Sequence, residues 1–290
     1  MKRNIIYFII MIITVILLSN VVIFAQDNLD TYIVGTSADY PPLEWIDENG
    51  NFLGIDMDIM KIIAILEGYK IEFVDMGFDS LIPALQSGKI DIIAAGMNST
   101  LERAKIVDFS DPYWRSDQPL LVKENSELNI ITALSQGYDV GAQIGTTEAG
   151  WIQDSLINQG VKVNLKLYET NDLGIMDLVN GRIDAYMCDA EGAKVFSKNN
   201  PIKIVGIVYT GEEGNKAFAV QKGDPKNLLS KLNNGLKIVE GEIKSNLIEA
   251  YSADNLEKIR KAYEKNEYLL SKEKAPVAYT ENLVKFMHEE

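Results

Sequence analysis

The 290-residue sequence contains a single cysteine, Cys188, and a single histidine, His288. One cysteine excludes an internal disulfide even in an oxidising compartment. Because the cysteine and the histidine lie far apart in the chain, a transition-metal site or a Cys/His nucleophile pair is disfavoured. The sequence therefore predicts no cofactor and no metal, and Cys188 is expected to be a buried strand residue.

Basic residues are also scarce, with 28 Lys and Arg against 42 Asp and Glu and a formal net charge of -14. An acidic surface repels phosphate groups, so nucleic acid and anionic lipid are disfavoured as partners. Hydrophobic residues make up 47% of the chain, which is enough for globular cores. The length suggests one large domain or two ordinary ones.

The first 25 residues have the pattern of a secretory signal peptide. Lys2 and Arg3 precede an apolar run over residues 5–18, and residues 23–25 form an imperfect small-residue cleavage site. Cleavage there makes Gln26 the mature N-terminus. An uncleaved anchor stays open, because residues 5–24 are about 20 residues, the length that spans a bilayer. No cysteine near the cleavage point could carry a lipid, which favours a soluble periplasmic protein. A monomer is expected.

A helix and a strand precede a polar corner in the first half. Residues 79–87 predict a short helix with Asp79 as N-cap and Pro83 in its first turn. Residues 90–95 predict a buried parallel strand that ends at Gly96. Ligands of open α/β sheets lie beyond the carboxyl ends of the strands, so residues 96–100 are a candidate binding edge.

The corner leads to an arginine. If Ser99 or Thr100 caps the next helix, Arg103 lies in its first turn, beside free N–H groups that favour an anion. Its guanidinium could hold a carboxylate with two hydrogen bonds. An ordinary surface arginine paired with Glu102 or Asp108 is the alternative.

Strands and helices alternate before this corner. Residues 32–36 and 71–74 predict strands, and residues 56–66 predict an amphipathic helix whose apolar side is Met57, Ile59, Met60, Ile63 and Leu66. Two prolines make residues 37–42 an extended loop. This order predicts right-handed crossovers and a parallel sheet, hence an α/β fold.

The second half repeats the first. Residues 178–189 (LVNGRIDAYMCD) match residues 85–96 (LQSGKIDIIAAG) in their helix end, glycine stop, basic residue and strand. The repeat suggests two similar domains and sets Asp189 at the carboxyl end of a strand. If the domains face each other, Arg103 and Asp189 present opposite charges to one cleft, which suits a zwitterion. A surface carboxylate or a helix cap is the alternative for Asp189.

The chain is expected to cross between the domains twice, over residues 117–123 and near residues 211–218, which makes a hinge. The predicted parts are domain 1 (26–117 plus 214–253), domain 2 (118–213) and a helical C-terminal extension (254–290). A helix is predicted over residues 227–240, and another from Glu148 to Ile157. The Gly145-Thr146-Thr147 corner before the latter offers hydroxyls and N–H groups to a carboxylate, or is simply a capped helix.

Several of these motifs occur together in a known family. Residues 77–85 (GFDSLIPAL), 91–97 (DIIAAGM), 102–103 (ER) and 108–113 (DFSDPY) closely resemble the polar amino-acid-binding family of bacterial extracellular solute-binding proteins, family 3 type. The resemblance extends from about Tyr32 to about Ala253. It implies a type II periplasmic-binding-protein fold, two similar α/β domains with a ligand cleft between them, and a membrane ABC permease as partner.

The resemblance also implies roles for single residues. Arg103 is expected to hold the ligand's α-carboxylate opposite Thr146 and Thr147, and Asp189 to hold its α-ammonium group. The resemblance assigns binding at the strand end to Gly96 and Asn98, and contact with the side chain of the ligand to Tyr40, Phe78 and Gln143. Further candidates for contact with that side chain are Ser37, Glu148 and Cys188. Many relatives carry an acidic residue where Ser37 stands. The predicted site has no second Lys or Arg, so a neutral or basic amino acid is expected.

The expected function is therefore capture of a free polar amino acid for an ABC importer, without enzyme activity. A dehydratase of the cyclohexadienyl or arogenate type on the same scaffold is the alternative, with Glu148 or Glu191 as general acid or base. A sensor module anchored by an uncleaved N-terminus is a third.

Overall fold

The computed structural model describes residues 29–208 and 214–252. The predicted signal peptide, its cleavage point before Gln26 and the C-terminal extension lie outside the described residues. Within the part described, no helix has both the length and the apolar character that a membrane crossing needs.

The described chain alternates strands and helices, as predicted. The strands are β1 (Thr31–Thr36), β2 (Asp39–Tyr40), β3 (Glu44–Ile46), β4 (Phe52–Leu53), β5 (Lys70–Asp75), β6 (Ile92–Ile93), β7 (Val107–Phe109), β8 (Trp114–Arg115), β9 (Gln118–Lys123), β10 (Gln136–Gln143), β11 (Lys162–Tyr168), β12 (Ala185–Met187), β13 (Ile202–Val208), β14 (Asn215–Lys216) and β15 (Ala219–Gln221). The helices are α1 (Ile55–Glu67), α2 (Phe78–Gln86), α3 (Leu101–Ala104), α4 (Ile130–Ala133), α5 (Thr147–Trp151), α6 (Asn171–Asn180), α7 (Ala190–Asn199), α8 (Leu228–Val239) and α9 (Glu242–Ser252).

Two five-stranded sheets share one topology. The first has the order β5-β1-β6-β15-β7 and the second the order β11-β10-β12-β9-β13. In each, the fourth strand is antiparallel to its neighbours, so the prediction of a parallel sheet is wrong in one strand of five. The reason is topological, because β9 and β15 each follow a crossing of the chain and enter their sheet from the opposite direction. We call the parts built on the two sheets the first lobe (residues 32–113 and 217–252) and the second lobe (residues 118–208).

Each sheet is covered by apolar side chains on both faces. In the first lobe, Val34 and Ile92 belong to one buried cluster and Ile93 and Ala95 to another. In the second lobe, Leu120 belongs to one buried cluster and Leu121 to another. Neighbouring strand residues point to opposite faces, so the runs that looked uniformly apolar in the sequence serve two cores each.

Helix α1 packs on the first sheet through the residues that its periodicity predicted. Met57, Ile59, Met60 and Ile63 are buried, whereas Leu66 is only partly buried. Asp56 is fully buried too, and its carboxylate accepts hydrogen bonds from the Gly96 N–H at 2.8 Å and from the Tyr113 hydroxyl. The helix thereby fixes the backbone of the polar corner at the end of β6.

The elements around that corner differ from the sequence prediction in their ends. Helix α2 starts one residue early and is capped by Gly77, so Asp79 lies inside it and Pro83 falls in the second turn. The regular part of β6 is only Ile92–Ile93, although pairing hydrogen bonds continue from the Asp91 N–H to the Ala94 N–H. Helix α5 becomes a π-turn at Ile152–Leu156 and a 3-10 turn at Ile157–Gln159.

The crossings between the lobes pair with each other. Strand β8 runs antiparallel to β14, with Trp114 opposite Lys216. The first crossing was predicted over residues 117–123, but Gln118–Lys123 is a buried strand of the second sheet. Its apolar run was therefore core, and the crossing lies just before it.

Candidate functional site

The carboxyl ends of β1, β6, β10 and β12 open onto one cavity between the two lobes. All ten site residues predicted from the sequence line it: Ser37, Tyr40, Phe78, Gly96, Asn98, Arg103, Gln143, Thr146, Thr147 and Asp189. Glu148 and Cys188, which the sequence suggested as contacts for the side chain of the ligand, line the same cavity. The lining also includes residues that the sequence did not suggest: Asp39, Glu44, Ala95, Asn171 and Met187. Their part in binding a solute remains a prediction.

Arg103 is held by backbone groups from both lobes. Thr100 caps α3, as predicted, and its hydroxyl accepts the Arg103 N–H at 3.2 Å. The guanidinium donates from Nη1 to the Asn98 carbonyl oxygen at 2.7 Å and from Nη2 to the Gly145 carbonyl oxygen at 2.9 Å. These contacts fix the plane of the guanidinium at the cavity wall.

The two predicted aromatic walls are present. The Phe78 ring lies 5.5 Å from the Arg103 Cζ atom, so it packs under the guanidinium. The hydroxyl of Tyr40 accepts a hydrogen bond from the Gly192 N–H of the second lobe at 3.3 Å. Both rings also belong to the apolar clusters of the first lobe, so core packing and cavity lining are served by the same side chains.

The hydroxyls of the Thr146-Thr147 corner bind protein groups, where the sequence suggested a carboxylate. The Thr146 hydroxyl donates to the Gln143 carbonyl oxygen at 2.7 Å and caps α5 by accepting the Ala149 N–H. The Thr147 hydroxyl accepts amide hydrogens from Asn98 at 2.7 Å and Gln118 at 2.8 Å. Since Asn98 is in the first lobe, this hydroxyl also joins the lobes.

Asp39 joins the lobes at another point. Its Oδ2 atom accepts the Asn171 N–H at 2.7 Å and the Gln143 side-chain amide at 3.3 Å, both from the second lobe. Ser37 donates to the other oxygen at 3.4 Å. Burial raises the pKa of the Asp39 carboxyl to about 6, against the opposing hydrogen bond from Asn171. Asp39 therefore places an acidic group on the same wall of the cavity as Ser37, two residues away in the sequence.

Asp189 stands directly before α7, but its side chain does not cap that helix. Its Oδ2 atom accepts a hydrogen bond from the Lys216 ammonium at 2.5 Å. Lys216 is fully buried in β14. Burial is the largest single influence and opposes its charge, but Asp189 and the other nearby acidic groups together outweigh burial and raise the pKa of Lys216. Lys216 is not among the residues that line the cavity, but its ammonium binds Asp189, which is, so a buried basic group that the sequence did not indicate adjoins the cavity wall. The sequence did not indicate that Lys216 is buried, because residues 212–216 are polar and resemble an exposed linker.

Two further carboxyl groups are buried beside this pair. Burial and the charge of Asp189 raise the pKa of Glu148 to about 8, while Lys216 lowers it. Burial and the neighbouring Asp56 carboxylate raise the pKa of Glu44 well above its usual value. One oxygen each of Glu44, Glu148 and Asp189 is buried without a hydrogen-bond partner.

This balance of groups determines what the cavity can bind. A buried carboxyl oxygen without a partner is costly, and a donor that fills the gap recovers much of that cost. The three residues that carry such oxygens line the same cavity as Arg103. The arrangement suits a small solute with an anionic head and cationic groups beyond it.

Gly192 should control how closely the two lobes approach. A Cβ atom on Gly192 would lie 2.4 Å from the Tyr40 Cε2 atom, across the interface. We expect Gly192→Ala to weaken solute binding about tenfold, or ~1.4 kcal/mol. The free protein should keep its stability, because alanine favours the helix. Calorimetric titration and thermal unfolding measure the two effects.

Gly150→Ala is the matched control for that experiment. Gly150 is also helical and in the second lobe, and its added Cβ would meet no atom within 4 Å. Equal affinities for the two variants would show that Tyr40 and Gly192 do not limit closure.

Comparisons with known proteins agree with this architecture. The model of the bacterial extracellular solute-binding proteins, family 3, matches residues 32–250. The chain is 32% identical over 213 residues to ABC transporter arginine-binding protein 1 of Escherichia coli (strain K12), covering 72% of this chain and 84% of that protein.

Two solved structures are also similar. One is an ancestral arginine-binding protein bound to arginine, with a TM-score of 0.70, 38% identity, and coverage of 76% of this chain and 97% of that chain. The other is the ancestral amino acid-binding protein AncCDT-1, a precursor of cyclohexadienyl dehydratase, with a TM-score of 0.69, 36% identity, and coverage of 76% and 95%.

These findings confirm the predicted fold class, two similar α/β domains of the type II arrangement with a ligand cleft between them. The family consists of extracellular binding proteins, which agrees with the prediction that the chain binds a solute and is not an enzyme. This chain belongs to the bacterial extracellular solute-binding proteins of family 3.

Proposed function

We propose that this protein captures a free polar amino acid, of the basic kind, and delivers it to the membrane permease of an ABC importer. The observation that carries the proposal is the set of unpartnered buried carboxyl oxygens on Glu44, Glu148 and Asp189, in a cavity shared with the Arg103 guanidinium. The arginine-binding relatives support the same class of solute.

In this proposal the head of the amino acid lies between the two lobes. Arg103 binds the α-carboxylate, and its rigid fork suits two parallel hydrogen bonds. The α-ammonium group binds Asp189 together with the Gly96 carbonyl oxygen and Asn98 at the end of β6.

The cationic end of the side chain is assigned to Glu44 and Glu148. A guanidinium has five N–H donors, enough to reach more than one of the unpartnered oxygens. An acidic side chain is disfavoured, because its carboxylate would lie against the Glu44 and Glu148 carboxyl groups in the cavity lining.

Capture is assigned to closure of two domains, residues 26–117 with 214–253 and residues 118–213. The paired strands β8 and β14 are the proposed hinge. The protein acts as a periplasmic monomer after removal of residues 1–25, without a lipid anchor and without nucleic acid as a partner. N-terminal sequencing of the exported protein tests the cleavage, and Gln26 is the expected first residue.

Thermal unfolding of the purified protein, refolded to strip any solute that co-purifies, tests the ligand class. A solute at about 1,000 times its dissociation constant adds roughly 4 kcal/mol of stability, which raises the midpoint visibly. Arginine, lysine and histidine are expected to raise it most, polar neutral amino acids less, and aspartate and glutamate not at all. A midpoint raised only by acidic amino acids would contradict the assignment of the carboxyl groups.

The dehydratase alternative is less well supported, because the family and the arginine-binding relatives are binding proteins. One observation still favours it, since Glu148 with a pKa of about 8 is protonated at neutral pH, as a general acid must be. Glu191, the other candidate, instead accepts a hydrogen bond from the Ser116 hydroxyl. Formation of an aromatic product from prephenate or arogenate would establish this activity.

A further inference from the structure

The ammonium group of Lys216 is fully coordinated by protein oxygens. Its Nζ atom donates to Asp189 Oδ2 at 2.5 Å, to the Gly96 carbonyl oxygen at 2.7 Å and to Asn98 Oδ1 at 3.4 Å. An ammonium group has three N–H donors, so these three acceptors use them all. The side chain is fully buried.

These three acceptors are the groups to which the proposed function assigns the α-ammonium of the solute. A lysine ammonium and an α-ammonium carry the same charge and donate the same number of hydrogen bonds. Two such groups on one buried carboxylate would repel each other at short range. The other Asp189 oxygen has no partner, but an ammonium bound there alone would lack the Gly96 and Asn98 oxygens that Lys216 occupies. The incoming ammonium therefore displaces Lys216 Nζ instead of joining it.

We propose that Lys216 is a tethered competitor for the ammonium subsite, and that it sets the protein's affinity and its selectivity for the head group of the solute. This inference rests on the proposed amino-acid function. The subsite can hold either the Lys216 ammonium or the ammonium of the solute, but not both. Lys216 therefore lowers the affinity for every ligand that must displace it.

The surroundings of Lys216 let the displaced ammonium stay charged. The negative charge of Glu191 acts on it in addition to that of Asp189. The Tyr40 ring lies 5.8 Å from Nζ and offers its face to a cation. A flexible four-carbon stem lets Nζ move between such positions while the backbone of β14 stays paired with β8.

Head-group selectivity follows from this arrangement. A solute without an α-ammonium group leaves Lys216 in place, and all three acceptors remain satisfied. Loss of the α-ammonium should then weaken binding only slightly in the natural protein. In a variant without Lys216, a solute that lacks the α-ammonium group leaves a buried carboxylate and a carbonyl unpaired, which is unfavourable.

The test compares arginine with 5-guanidinopentanoate, which is arginine without the α-ammonium group. Calorimetric titration gives both dissociation constants for the natural protein, Lys216→Met and Lys216→Gln. Lys222→Met is the control, because Lys222 is half exposed and pairs with Asp108 outside the cavity. Lys216→Gln keeps hydrogen-bond donors without the charge, in case the methionine variant does not fold.

Substitution of Lys216 should raise the ratio of the two constants, analogue over arginine, at least tenfold, with arginine itself binding more tightly. Lys222→Met should leave the ratio unchanged. A merely structural role for Lys216 would shift both constants by the same factor, and that result would overturn the inference while leaving the proposed function intact. Failure of every variant and of the natural protein to bind arginine, lysine or histidine would overturn both.

Discussion

Replacement of Arg103 by alanine is expected to weaken amino-acid binding at least a hundredfold, a loss of about 3 kcal/mol or more. Truncating one partner of a buried, hydrogen-bonded charge pair costs about 2–5 kcal/mol, much of it from the other charge left unpaired. Arg103→Lys keeps the charge but loses the planar fork, so it should fall between the alanine variant and the natural protein. Calorimetric titration with arginine measures both variants.

A second arginine provides the control for this prediction. Arg182 is exposed and pairs with Asp177 on the surface of the second lobe, so Arg182→Ala should leave binding within about 0.5 kcal/mol. A loss that small for Arg103→Ala would remove Arg103 from the site. Thermal unfolding of the free variants separates lost binding from the lost contacts to Asn98 and Gly145.

Arginine binding is expected to tighten as the pH rises from 6 to 8. Burial, with the charge of Asp189, raises the pKa of Glu148 to about 8, so the free protein holds a proton there at neutral pH. A bound cation favours the ionised carboxylate, so below pH 8 each binding event releases up to one proton. Affinity should rise up to tenfold per pH unit, which is ~1.4 kcal/mol, and level off above pH 8.

Calorimetry in two buffers of different ionisation enthalpy counts the protons released. Glu148→Gln should abolish most of the pH dependence and bind arginine more weakly at pH 8. Glu102→Gln is the matched control, because Glu102 is highly exposed and pairs with Lys105. An unchanged pH dependence in Glu148→Gln would assign the released proton to another group, such as Asp39, whose pKa burial raises to about 6.

The sequence predicted those parts of the site that depend on local pattern. The repeated strand endings led to the corner at Gly96 and to Asp189, because a short apolar run with a glycine or a polar stop is a local signal. Their approach to one cavity followed from the symmetry of the repeat. The same reasoning failed for strand direction, which depends on where the chain re-enters each sheet.

The residues that were missed have no local signal. Glu44 follows two prolines and Lys216 lies in a polar stretch, so both looked exposed, yet each is at most 1% exposed. Lys216 is buried only because two strands distant in sequence, β8 and β14, pair beneath the cavity. The sequence predicts a loop around Asp39, and the contact that this residue makes between the lobes depends on Asn171 and Gln143 from the other lobe. Such long-range pairings are set by tertiary structure alone.

The position of β15 determines the order in which the chain can fold. In the first sheet β15 lies between β6 and β7, so these two strands are joined only through residues 219–221. The strands of the second sheet, by contrast, all come from residues 118–208. Contacts between distant segments form slowly, and a domain folds as a unit once its chain is complete. A chain emerging from its N-terminus should therefore complete the second lobe first, while the first sheet stays incomplete until about three-quarters of the sequence is available.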